Sequence, residues 1–125
     1  MNWYLAVLKK YVVVEGRARR KEYWIFVLIN LVVSLILAVI DSATGSYDPE
    51  SGLGLLGTLY ALGVFLPSVT VAVRRLHDTD RSGWWLLLVF LPIIGFLVLL
   101  VFMVLPGTPG DNRFGVDPLT LPDPA

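Results

Sequence analysis

Three stretches of this chain carry no Lys, Arg, Asp, Glu or His: Tyr23 to Ile40, Leu53 to Val73 and Trp84 to Leu105. Runs of roughly 18 to 22 residues rise about 27 to 33 Å as α-helix, the thickness of a bilayer's hydrocarbon core. A lone strand in lipid would leave its backbone groups without partners, so helix is the form open to each run. Composition points the same way. A chain of 125 residues has room for one domain, and 56% hydrophobic against 16% charged is too apolar for an ordinary soluble one. The sequence therefore predicts an all-α membrane protein, a single multi-pass domain over 1–125. It has transmembrane helices at 23–40, 53–73 and 84–105, a basic segment at 1–22 and a tail at 106–125.

Charge orients the spans. Lys9, Lys10, Arg17, Arg19, Arg20 and Lys21 precede the first run, and Arg74, Arg75 and Arg81 follow the second, whereas Asp41 to Gly52 holds no cation. By the positive-inside rule the N-terminus is cytoplasmic. Tyr23 and Trp24 open the first run and Trp84 and Trp85 the third, where amphipathic rings favour the headgroup level. A cleaved signal peptide is disfavoured by the length of the first run and the lack of an A-x-A site after it. The twin arginines of "RARRK" lack the rest of an export motif. Asn2 to Val14, too short to span and mixing aromatics with two lysines, suits a segment lying along the interface, with a loosely ordered extension as the alternative.

The third run is interrupted by Pro92 and Gly95 in "LPIIG". Proline removes a backbone hydrogen bond, so the run is either one kinked span or a re-entrant hairpin. A lipid-exposed turn would strand polar backbone groups, which favours the full span and a periplasmic tail; the hairpin would return the tail to the cytoplasm. The tail is rich in Pro, Gly and Asp and is expected to form turns and then a disordered end. "GDNRFG" within it lacks the spacing of an EF-hand loop and reads as a structured turn.

Helical spacing places Asn30, Ser34, Ala38 and Asp41 on one face of the first span, and Gly57, Ala61, Ser68 and Ala72 on one face of the second. Small residues allow close backbone approach, so these faces are expected to meet. No ionisable residue lies within a span, which counts against an ion pathway, and a pore would require an oligomer.

The polar chemistry is concentrated in "RRLHDTDRSGWW", Arg74 to Trp85. With no cysteine, disulfides and thiolate metal sites are excluded; with one histidine, a zinc centre of the usual kind is not expected, nor is any cofactor. Zero formal charge argues against a nucleic-acid binder. His77 beside Asp78 supplies fragments of a base and its orienter, but adjacent side chains point apart and no nucleophile motif accompanies them, so an enzyme is not expected. Arg74 and Arg75 suit a helix C-terminus, and Asp80 or Ser82 can cap the next helix. The candidate cluster at the cytoplasmic interface is Arg17, Arg19, Arg20, Glu22, Arg74, Arg75, His77, Asp78, Asp80 and Arg81. Two function classes follow. In one, the loop closes onto "GRARRKE" and fixes the bundle for a membrane-protein partner or homo-oligomer, a channel or transporter component included. In the other, the arginines hold anionic phospholipid headgroups or a small ligand.

"GRARRKEYW" at Gly16 to Trp24, "RRLHDTDRSGWW" at Arg74 to Trp85 and "PGTPGDNRFG" at Pro106 to Gly115 together resemble the signature of a bacterial inner-membrane family, domain of unknown function 805. Val14 departs from the aromatic expected two residues before Gly16. The resemblance implies a small multi-pass inner-membrane protein and brings no substrate, cofactor or catalytic residue.

Overall fold

The structure, a computed structural model, describes residues 2–50 and 52–120. Two antiparallel helices form its frame: α2, Arg20–Thr44, and α3, Leu55–Asp78, each long and apolar enough to cross a membrane. A two-stranded ribbon, β1 at Tyr47–Asp48 paired with β2 at Leu53–Gly54, joins them. α2 ends where Gly45 turns left-handed at φ 78°, a conformation glycine adopts without steric cost. Asp41, fully buried one turn earlier, accepts the N–H groups of Leu56 at 3.0 Å and Gly57 at 2.9 Å, and the Ser46 hydroxyl at 2.7 Å. One carboxylate thus caps α3 from the neighbouring helix and satisfies two of its orphan donors. Gly54 leaves room for it, since a Cβ there would stand 2.1 Å from Asp41 Oδ2.

The short helix α1, Asn2–Lys9, packs against this pair through Tyr4 and Val7, which share a core with Ala18, Phe26 and Val71. Polar links reinforce the apolar contact. The Tyr60 hydroxyl donates to Asn30 Oδ1 at 2.5 Å and lies 2.6 Å from the Tyr4 hydroxyl, and the Tyr11 hydroxyl donates to the Gly63 carbonyl at 2.5 Å. The small-residue faces do not close along their whole length. Asn30 and Gly57 take part in the α2–α3 contact, but Ser34 is exposed, and Ala38, Gly57 and Ala61 line an open cleft of about 250 Å³. Ser68 turns its hydroxyl onto its own helix, to the Val64 carbonyl at 2.6 Å, the ordinary internal solution for a serine without a partner.

The third apolar run is not one helix. It forms a 3-10 helix at Gly83–Phe90, a reversal at Leu91 to Ile93, and a helix α4 at Ile94–Val104. The kinked span of 84–105 is therefore replaced by the hairpin alternative, and the tail lies at the same end of the bundle as the N-terminal basic segment. Two observations place it there: the Met103 and Leu105 carbonyls meet Arg75, and the Val104 carbonyl meets Arg20. A hairpin turn in lipid must find partners for its own polar backbone groups. The turn resolves this locally, because Leu91 N–H bonds to Leu88 O, Gly95 N–H to Leu91 O, and Ile94 N–H to Pro92 O at 2.7 Å. The last is a γ-turn centred on Ile93 at φ 66° and ψ −65°, a strained form for a β-branched residue. Gly95 permits the two legs to touch, since a Cβ there would fall 1.7 Å from the Leu88 carbonyl oxygen. α4 then packs Leu99 and Met103 against Ala72 and Leu76 of α3.

Candidate functional site

α3 delivers its last turn, Arg74 to Asp78, into the space between the N-terminal segment and the tail. Its C-terminus closes with a Schellman arrangement: Arg81 N–H bonds to Leu76 O at 2.9 Å and Asp80 N–H to His77 O at 3.0 Å, with Asp80 left-handed at φ 61°. Asp80 therefore ends α3 and does not cap the following helix, and Ser82, at the head of the 3-10 helix, makes no side-chain cap bond either. Other helix-end carbonyls are met from distant segments. Ala18 N–H donates to Arg74 O at 2.9 Å, Thr108 N–H to Asp78 O at 2.6 Å, and the Asn112 amide to His77 O at 2.9 Å.

Inside this enclosure one carboxylate is shared by two guanidinium groups. Arg17 Nε donates to Asp78 Oδ1 at 3.0 Å and Arg75 Nη1 to Asp78 Oδ2 at 2.6 Å, with side-chain exposures of 1%, 0% and 5% for Arg17, Arg75 and Asp78. Removing such ions from water costs several kcal/mol each, so the remaining donors must find acceptors. They do so on the backbone. Arg17 reaches the carbonyls of Thr108 and Gly110, both at 2.6 Å, while Arg75 reaches those of Ala18, Met103 and Leu105. A second buried pair, Arg74 to Glu22 at 2.5 Å, ties α3 to the start of α2. The Arg74 Nε and Nη2 donors face no acceptor among the described residues.

The rest of the predicted cluster surrounds this centre without entering it. His77 donates from Nδ1 to the Gly16 carbonyl at 2.9 Å and stacks on Phe114 with ring centroids 4.0 Å apart. His77 and Asp78 thus have separate partners and do not form a base with its orienter. Asp80 pairs with Arg113 in an exposed contact at 3.1 Å, and Arg81 lies 4.1 Å over the Phe102 ring. Arg20 is exposed and donates to Val104 O at 3.2 Å. Arg19, like Lys21, lies 5.2 Å from the Trp3 ring centroid.

Several participants carry no sequence signal of their own. Most of the acceptors are main-chain carbonyls, among them Gly115 O, which Arg17 Nη1 reaches at 3.4 Å. Gly107 is required because a Cβ there would come within 2.1 Å of Asp78 Oδ2. Trp24 spans from α2 to α4, its Nε1 donating to Met103 O at 2.9 Å. Asp117 accepts the N–H groups of Leu119 and Gly110, both at 3.0 Å, and folds the tail back on itself. These two bonds, Leu119 first, together with the nearby Arg17 and Arg19, hold its carboxyl below the ordinary aspartate range. The signal that could have found this region is the run of Gly and Asp in "PGTPGDNRFGVD" beside an excess of arginine.

The three segments that meet here are the three polar stretches of the sequence, and the family model described as "Protein of unknown function (DUF805)" matches residues 11–116, which contain all of them. The chain belongs to the DUF805 family. It is 57% identical over 118 residues to the inner membrane protein YhaI of Escherichia coli K12, covering 94% of this chain and 96% of that one. It is 53% identical over 118 residues to the inner membrane protein YhaH of the same strain, covering 94% and 97%. No solved structure matches this DUF805 chain. The names of these two relatives give a location and no reaction, so the chemistry must be read from the arginine cluster. There, every buried cation is already engaged by a carboxylate of the same chain.

Proposed function

We propose that this chain is an inner-membrane structural or interaction module: two membrane-crossing helices and a re-entrant hairpin, closed at the cytoplasmic surface by an internal arginine lock. The observation that carries this reading is the fate of the arginines. Arg17 and Arg75 are buried and spend their donors on Asp78 and the carbonyls of three segments, while buried Arg74 pairs with Glu22 through Nη1 and leaves Nε and Nη2 without an acceptor among the described residues. A site for a reacting ligand keeps such groups open; Arg17 and Arg75 instead fix the relative positions of the N-terminal segment, α3 and the tail. The outward apolar faces remain available for lipid, a membrane-protein partner or another copy, including Leu28 and Leu35 at 59% exposure and Val39 at 69%. Charge supports the orientation, since Asp41 to Gly52 at the opposite end contains no Lys or Arg.

The experiment is photo-crosslinking in native membranes from Leu28, Leu35 and Val39. A module that assembles gives a protein adduct of discrete mass from at least one position, identified by mass spectrometry as a partner or a second copy. Adducts to lipid alone from every position would overturn the interaction role.

A further inference from the structure

Beside the arginine lock lies a groove of about 230 Å³ between the start of α2 and the tail, lined by Arg19, Arg20, Lys21, Asp78, Pro106, Gly107, Asp117 and Leu119. We propose that this groove seats the phosphodiester headgroup of an anionic phospholipid against Arg20 and Lys21. The lining charges decide the sign of its occupant. Both carboxylates are internally engaged: Asp78 by Arg17 and Arg75, Asp117 by two backbone N–H groups. Three cations, Arg19, Arg20 and Lys21, therefore line the groove with two carboxylates whose charge is already met from within. The buried arginines cannot move toward a ligand, but Arg20 and Lys21 are exposed, on long stems that reach into it.

Position decides between a lipid and a soluble anion. The groove sits where α2 leaves its apolar run, with Trp24 half-buried one turn further in and Trp3 under Arg19 and Lys21. That is headgroup level for a helix that crosses the membrane. Leu119, 65% exposed, adds an apolar wall to the groove.

The inference rests on the membrane placement proposed above, and thiol labelling from the two sides of the membrane tests that placement independently. For the groove itself, the full chain is purified in detergent with equal parts of phosphatidylglycerol and phosphatidylcholine, and retained lipid is counted by native mass spectrometry. Wild type is expected to retain phosphatidylglycerol preferentially. The variant carrying Arg20→Gln and Lys21→Gln is expected to lose about 30-fold in affinity, since each cation near an anionic surface contributes about fivefold. Lys21→Gln alone, which leaves the Arg20 bond to Val104 in place, is expected to lose about fivefold with an unchanged thermal midpoint. Lys21→Arg is expected to restore retention. Equal retention of both lipids by wild type, undiminished retention by the Lys21→Gln protein, or displacement of phosphatidylglycerol by inorganic phosphate would each overturn the proposal.

Discussion

Arg75 and Arg81 stand six positions apart in the same motif and meet opposite fates. Arg75 forks across Asp78 and the carbonyls of Ala18, Met103 and Leu105, whereas Arg81 rests on the Phe102 ring and reaches only Thr79 O at 3.3 Å. Lysine keeps the charge but lacks the planar fork. Arg75→Lys is therefore expected to cost about 3 kcal/mol, two charge-assisted hydrogen bonds' worth, while Arg81→Lys costs less than about 1 kcal/mol. Thermal unfolding in detergent checks both; equal midpoints would reduce the arginines to topogenic charge. Asp117 gives a pH-dependent counterpart. Its carboxyl is held low by the Leu119 and Gly110 N–H groups, so its contribution is present above the ordinary aspartate value of about 3.9 and is lost as pH falls through the depressed native value. Protease sensitivity of the tail should rise as pH falls below that value, and Asp117→Asn should make the tail sensitive at neutral pH. The residue types of this site were legible in the sequence, since Arg, Asp and Glu between apolar runs must either pair or face water. Which arginine takes which carboxylate was not, because the deciding acceptors are main-chain carbonyls up to 98 positions away along the chain, which every residue type carries alike.

At the scale of elements, the third apolar run shows how one short break redirects a chain. Pro92 and Gly95 were visible as an interruption, but kink and reversal share that signal. What selects reversal is whether the freed backbone groups find partners and whether the two legs can touch. The γ-turn at Ile93 supplies the first and the bare Cα of Gly95 against Leu88 O the second. Ile93→Gly should remove the left-handed strain and raise stability by about 1 kcal/mol. Gly95→Ala should lower it by about 1 to 3 kcal/mol, because the added methyl meets backbone that cannot rotate away. The two variants measured together in one unfolding assay test the hairpin: a single spanning helix would gain from alanine and lose from glycine, the reverse order.

For the whole molecule, the hairpin brings Arg113 to the end of the bundle that holds Arg17, Arg20, Arg74 and Arg75, next to Asp80. The chain has no cysteine, so single thiols report the arrangement cleanly. In the proposed orientation, Glu50→Cys should react with an impermeant reagent added outside intact cells, while Ser82→Cys and Val116→Cys should react only after the membrane is opened. Labelling of position 116 from outside would restore a third span and contradict the contacts between the tail and Arg17. The sequence by itself determined that this is a helical chain, that three apolar runs are long enough to cross a membrane, that the cations lie outside those runs, and which family it belongs to. Those properties follow from length, hydropathy and charge, which are sums over neighbouring residues. Only the tertiary structure decided that the third run turns back and that Asp41 caps α3 from α2. It also decided that Arg17 and Arg75 share Asp78. Each of these depends on polar groups distant in sequence being brought within about 3 Å of one another, and no local sum contains that distance.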